Sequence, residues 1–244
     1  MKSNAVKKLL AACLFWAPAF MFSACDEVVL RGEGDAITQT RPVADFDAVH
    51  AGGEFEIFLS QGPTQDIRLE GQENILAELS TQVNHNKLEI KYKRNRVNAR
   101  KPVRIYLTTP ALREVSLSGA NTLQGLTPWQ VDVLELHASG SGNIDMTVSG
   151  ARHLESNTSG SARITLSGQA DRYEMELSGS GKIRAFGLTT KTAEVAVSGS
   201  GNCELAVSEQ LKTRISGSGK VRYKGNPAVS TTISGSGSVM RVEG

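Results

Sequence analysis

Val195-Ala196-Val197-Ser198-Gly199-Ser200-Gly201-Asn202-Cys203-Glu204 runs an alternating apolar strand into a tight Ser-Gly corner, and this pattern is written seven times. The corners begin at Ser118, Ser139, Ser159, Ser178, Ser198, Ser216 and Ser234, with steps of 21, 20, 19, 20, 18 and 18 residues. A fixed period of this length marks stacked repeats, in which each unit buries its apolar face only against its neighbours.

Aligning the corners on their leading serine brings apolar residues into columns. Five residues after it stand Leu123, Ile144, Ile164, Ile183, Cys203, Val221 and Val239. One residue before it stand Leu117, Ala138, Thr158, Leu177, Val197, Ile215 and Ile233. Positions three and five before it are mostly apolar as well, and those between are polar. Such period-two alternation belongs to strands with one buried face. The fold class expected is all-β, a single-stranded right-handed parallel β-helix (β-solenoid) with coils of about 20 residues, its hand taken from the general preference of parallel crossovers. A meander of antiparallel hairpins is the alternative; it accounts for the alternation but not for the same chemistry at every second corner. Glycine at the corners supplies turn conformations that a Cβ would obstruct. Asn121 and Ala162 replace the second glycine in two corners, where Asn tolerates the left-handed conformation and Ala marks a less demanding corner.

Upstream the period is fainter. Arg31-Gly32-Glu33-Gly34, His50-Ala51-Gly52-Gly53 and Glu70-Gly71 begin 19 and 20 residues apart and read as three earlier corners. Residues 35–244 are therefore expected to form one solenoid domain, with irregular coils over 35–111 and regular coils over 112–244. A small antiparallel sheet over 35–110 is the alternative. Residues 74–81 have room for a helical turn or two, and the last corner leaves an open strand edge.

Lys2, Lys7 and Lys8 precede an apolar run from Leu9 to Phe22, closed by Ser23-Ala24-Cys25. Residues 1–24 read as a lipoprotein signal peptide and residues 25–34 as anchor and short linker, with Cys25 the lipidation site. Phe22 departs from the usual Leu, which leaves ordinary cleavage or an uncleaved anchor as alternatives. The location implied is the bacterial cell envelope, lipid-anchored in the outer membrane on a face the sequence does not specify. Removing three leader lysines leaves 24 basic and 25 acidic side chains, so overall charge points to no polyanion and to no nucleic-acid partner. Cys203 alone remains in the domain, in an apolar column, which excludes a disulfide framework and a cysteine-based metal site.

The segments Gly32-Glu33-Gly34, Thr40-Arg41-Pro42-Val43, Phe46-Asp47-Ala48-Val49, Gly52-Gly53-Glu54-Phe55-Glu56-Ile57 and Gln61-Gly62 resemble the opening of the putative auto-transporter adhesin, head GIN domain family. Asn74-Ile75-Leu76, Leu88-Glu89-Ile90 and the Ser-Gly corners extend the resemblance over nearly all of the chain after the leader. It implies a β-helical envelope protein, often lipid-anchored, found in bacteria and especially the Bacteroidetes. It supplies no catalytic residue.

No catalytic constellation is visible in the sequence itself. His50, His85, His137 and His153 are scattered without metal-ligand spacing, and no Gly-x-Ser-x-Gly elbow occurs. Two surface groups remain. Glu114, Glu135, Glu155, Glu174 and Glu194 stand four residues before successive corners and should stack as a carboxylate row, a candidate for Ca²⁺ or a cationic ligand. Lys91, Lys93, Arg94, Arg96, Arg100, Lys101 and Arg104 form a basic stretch suited to an anionic surface such as lipopolysaccharide. No other cofactor is expected. The function expected is a non-enzymatic, membrane-tethered binding or adhesion module for a glycan, envelope component or protein. The alternatives are a structural scaffold assembling through solenoid edges and, further off, a carbohydrate-active enzyme.

Overall fold

The computed structural model describes residues 29–243. The signal peptide expected at 1–24 and the lipidation site Cys25 lie outside the described residues. The chain winds into a β-solenoid of about six turns, with parallel bridges about 20 residues apart. From Asn143 to Gly217 each coil is one nearly continuous strand: Asn143–Gly160, Arg163–Gly179, Lys182–Gly199 and Asn202–Gly217. Each lies parallel to the next, and the register places corner on corner: Ser139 on Ser159, Ser159 on Ser178, Ser178 on Ser198, Ser198 on Ser216. The columns aligned in the sequence become the core. Leu123, Ile144, Ile164, Ile183, Cys203 and Val221 are fully buried, as are Val115, Leu136, Met175 and Val195 three residues before their corners. Burial pushes the Cys203 thiol up to about 12, so it stays a neutral apolar side chain.

The two glycines of the corner do different work. The first, at 119, 140, 160, 179, 199, 217 and 235, has φ between +84° and +120°. A Cβ there would also lie 2.5–2.8 Å from the carbonyl oxygen of the glycine one coil back. That same carbonyl accepts the N–H of the residue after the corner glycine, as in Ser161 N to Gly140 O (2.8 Å) and Ser200 N to Gly179 O (2.9 Å). The second glycine, at 142, 181, 201, 219 and 237, has no positive φ. It is needed for close approach instead: a Cβ on Gly181 would sit 2.7 Å from the Ala162 carbonyl oxygen. Asn121 and Ala162 therefore stand in this column without a left-handed backbone, contrary to the reason the sequence offered for Asn121. Asn121 is fully buried and stitches two coils together. Its Oδ1 accepts the Phe55 N–H (3.1 Å), and its Nδ2 donates to the Ala51 (3.2 Å) and Ser118 (2.7 Å) carbonyls.

The N-terminal third departs from the coil-by-coil reading. Ala48–Gly53 and Phe55–Gln61 form a coil whose Gly52-Gly53 corner stacks in register under Ser118-Gly119. On its other side lie Lys87–Tyr92 and Val103–Thr109, also parallel. Spatial order is thus 87–109, then 48–61, then 114–125, with the first two exchanged relative to the chain. Gly71 is not a corner: it lies in Ile67–Gln72, which runs antiparallel to both Val103–Thr109 and Ala36–Arg41. Gly32 is not one either, since it follows the short strand Leu30–Arg31, paired with Val97–Asn98 outside the main sheet. A second antiparallel strand, Leu79–Asn84, turns through His85-Asn86 onto Lys87–Tyr92. Those two residues have positive φ, 51° and 61°, as a tight hairpin turn requires. The helix Glu73–Ala77 joins the two cap strands, and Arg41 donates to its Leu76 carbonyl and to the Leu79 carbonyl, both at 2.6 Å. The expected solenoid and the alternative antiparallel sheet thus coexist here, the sheet as a cap on the first coils.

Two glycine substitutions separate conformation from close approach, and a third tests Asn121. Gly199→Ala combines a disfavoured φ with a carbonyl collision and is expected to destabilise by about 2–5 kcal/mol. Gly150→Ala, with φ +79° but nothing within 4 Å of the added Cβ, should lose only about 1–2 kcal/mol. Asn121→Gly restores the repeat's own residue yet should destabilise by about 1–3 kcal/mol, because it strands the buried Phe55 N–H. Urea unfolding of the three variants beside the parent chain measures all of these differences.

Candidate functional site

Each strand ending in a corner presents three outward columns: four residues before the leading serine, two before it, and the serine itself. The first holds the carboxylate row, and the ladder pairs Glu114 with Glu135, Glu135 with Glu155, Glu155 with Glu174, and Glu174 with Glu194. Lys212 and Ser230 continue the column. Stacking brings these side chains to one face, but each carboxylate finds a partner from a neighbouring column. Glu114 accepts a hydrogen bond from His50 Nε2 (2.6 Å) and lies 3.5 Å from Arg113 and 3.8 Å from Lys87. Glu155 accepts from Asn157 (2.6 Å), Glu174 pairs with Arg172 (2.7 Å), and Glu194 pairs with Lys212 (3.1 Å) and Arg214. Glu135 lies 3.6 Å from His137. Among the described residues no three His, Cys, Asp or Glu side chains converge into a metal-holding group.

The basic stretch is dispersed rather than gathered. Lys91 pairs with Glu89 (3.2 Å), Arg94 with Glu78 (3.3 Å), Lys101 with Asp35 (2.6 Å) and Arg104 with Glu56 (2.8 Å). Lys93 Nζ donates to the Ala77 carbonyl. Arg96 and Arg100 have no ion-pair partner among the described residues. Arg100 and Lys101 border a cleft of about 510 Å³ with Glu54, Glu56 and Tyr92, whose charges are mixed. Desolvation, with Glu54 nearby, pushes the Tyr92 hydroxyl up to about 12.

Between the second and third outward columns runs a groove that the column pattern did not reveal. One wall is the serine row, from Ser139 to Ser234, and the other holds Ser116, His137, Asn157, Glu176, Ala196, Arg214 and Thr232. Its floor comes from the column between them: Leu117, Ala138, Thr158, Leu177, Val197 and Ile215. The volume is about 700 Å³. A further 220 Å³ continues the same three columns across His50-Ala51-Gly52 and Glu89-Ile90-Lys91. The groove therefore crosses nine stacked strands, a length of about 38 Å at the usual strand spacing. The wall opposite the serines varies from coil to coil, and that variation is why it leaves no columnar signal in the sequence. A serine nucleophile needs a base within hydrogen-bond reach. Among the described residues no histidine or carboxylate is hydrogen-bonded to a hydroxyl of the serine row. The arrangement offers hydroxyls, an amide, imidazole and balanced charges along a line.

Residues 45–227 match the family described as putative auto-transporter adhesin, head GIN domain. The chain belongs to this family. No curated protein matches the sequence. Among solved structures, a putative adhesin from Bacteroides fragilis superimposes with a TM-score of 0.81 at 24% identity, over 87% of this chain and 100% of that one. A putative lipid binding protein from Parabacteroides distasonis gives 0.74 at 23% identity over 88% and 100%. A putative adhesin from Parabacteroides merdae gives 0.66 at 23% over 87% and 98%. At these identities the likeness establishes the fold. Among the described residues no helix is long and apolar enough to cross a membrane.

Glu114 provides a measurable test of the carboxylate row. Its partial burial raises the carboxyl's pKa, but the His50 hydrogen bond and the nearby Lys87 and Arg113 outweigh that and hold it below the usual carboxylate value. A depressed folded-state pKa adds stability above the unfolded value, about 4.3, and loses it as pH falls through the folded value. Glu114→Gln should therefore be less stable than the parent by about 1–2 kcal/mol at neutral pH. The gap should close as the pH approaches 3, measured by urea unfolding across that range.

Proposed function

We propose that this chain is a non-enzymatic binding module of the bacterial cell envelope whose groove holds an extended glycan strand along the solenoid axis. The observation that carries this reading is the groove itself, with a hydroxyl on one wall at nearly every level, set by the register of the strands. A linear polymer laid along it meets equivalent donors and acceptors at regular intervals, as sugar hydroxyls require. The walls are close to electrically balanced, with Glu89 and Glu176 set against Lys91 and Arg214, so a neutral or weakly charged chain suits them best. The column between the walls turns its side chains into the core, so the floor is strand backbone, over which an extended chain can lie flat. Family membership and the adhesin descriptions of the fold neighbours support an envelope setting and a binding role. In this reading a lipid on Cys25 tethers the solenoid to the outer membrane.

The test is a binding screen of the chain against linear polysaccharides and cell-envelope extracts, repeated with Ala196→Trp and Ser198→Tyr. These residues face each other across the groove at one level, and a large ring on either should obstruct a strand. Affinity is expected to fall at least about tenfold while the unfolding midpoint stays within about a degree of the parent. Binding unaffected by both substitutions would move the site elsewhere. Capture of acyl-chain vesicles but no polysaccharide, again weakened by Ala196→Trp, would make the groove a lipid seat and overturn the glycan assignment.

A further inference from the structure

The two ends of the solenoid are built differently. Antiparallel strands close the N-terminal end, whereas among the described residues the strand Ala228–Ser234 is paired on one side only, with Gln210–Ser216. Val229 and Ile233 occupy columns that are buried in the coils before them, yet here they are 42% and 41% exposed. The strand reads Ala-Val-Ser-Thr-Thr-Ile-Ser, without a charge or proline. Ser230 and Thr232 replace Lys212 and Arg214 of the preceding coil at its outward positions. Charges, prolines and bulges are the usual protection of an exposed strand edge, and within this strand the first two are missing.

We propose that this edge pairs with the same edge of a second copy of the chain, antiparallel and centred on Thr231, so that one sheet runs through a two-fold symmetric dimer. The sequence of the strand is self-complementary in that register. Thr231 faces Thr231, Val229 faces Ile233 of the second copy, and Ser230 faces its Thr232. Two apolar pairs flank the central threonine pair on one face and hydroxyl pairs lie on the other, a combination that stabilises antiparallel neighbours. A two-fold contact of this kind closes on itself and leaves no further edge to propagate. Head-to-tail stacking would need the opposite end, which the antiparallel cap strands cover. Three cations near the edge are paired within their own protomer, Lys212 and Arg214 sharing Glu194 and Arg222 on Glu204, which leaves one of their three charges uncompensated. Lys220, Lys224 and Arg241 lack a carboxylate partner among the described residues, so a weak like-charge repulsion remains. The dimer should therefore tighten as salt is raised, the reverse of an association driven by opposite charges.

The test uses the full chain recovered from the cell envelope. Thr231→Cys should form, under mild oxidation, a covalent dimer that a reductant releases. Ser208→Cys, exposed on the preceding coil, should not rise above the background set by the unsubstituted chain. Buried Cys203 does not compete. Ile233→Lys should convert the dimer to monomer in sedimentation without lowering the unfolding midpoint, because the side chain is already part-exposed in the single solenoid. The proposal is overturned if the parent sediments as a monomer at all salt concentrations. It is equally overturned if Thr231→Cys cross-links no better than Ser208→Cys, or if Ile233→Lys leaves the dimer intact.

Discussion

The structure depends on one contact repeated at each corner from Ser118 to Ser216: a glycine carbonyl that accepts an N–H from the coil above while the next glycine lies directly over it. The hydrogen bond can form only because no Cβ stands between the two backbones, the separation to the would-be atom being 2.5–2.8 Å along the whole column. Positive φ at the same residue turns the chain from one side of the coil to the other. Conformation and approach thus select glycine together. Once the corner is fixed, register has no freedom, since a slip of one residue would place a side chain in this contact and turn the strand's apolar face outward. The aliphatic core then follows from the corner.

Fixed register has an electrostatic consequence. It stacks like on like, and five carboxylates in a column would repel one another if left alone. The chain relieves this with partners from adjacent columns, Arg172 beside Glu174, Asn157 beside Glu155 and Arg214 beside Glu194, and with Lys212, which follows Glu194 in the column itself. These partners sit two residues along the strand or one coil away, on the same outward face, so alternation and stacking together bring them within reach. Glu114, on the first regular coil, is held from three directions because the exchanged N-terminal strands bring His50 and Lys87 beside it. The row is thus a set of local ion pairs and hydrogen bonds rather than a bare acidic stripe.

How much was legible in the sequence depended on whether neighbours in space were also neighbours in the chain. After the Ser118 coil each coil stacks on the one just before it, so the period, the buried columns and the carboxylate row could all be read from residue spacing. Before Ser118 that correspondence fails. The coil at 48–61 lies against 87–109 on one side and 114–125 on the other, so glycines at even intervals there include Gly71, which belongs to an antiparallel cap strand. The role of Asn121 was hidden for the same reason, since its partner Phe55 is 66 residues away. The groove escaped notice because its variable wall holds a different side chain at each level, and a column is visible to sequence reading only when its chemistry repeats.

The exchanged strand order also explains why the ends of the solenoid differ. A coil inserted between two later segments has both edges covered, which moves the N-terminal boundary outward to 87–109, where Ile67–Gln72 and Leu79–Asn84 pair antiparallel against it. An antiparallel strand reverses the chain without needing another glycine corner, so it ends the stack where a parallel coil would invite a successor. Beyond it, Ala36–Arg41 presents mostly polar, exposed side chains, as capping units of repeat proteins do. Among the described residues the last coil has no such device. It keeps the Ser234-Gly235 corner and the parallel register of the coils before it, so its free edge still offers the hydrogen-bonding pattern on which every earlier coil was laid.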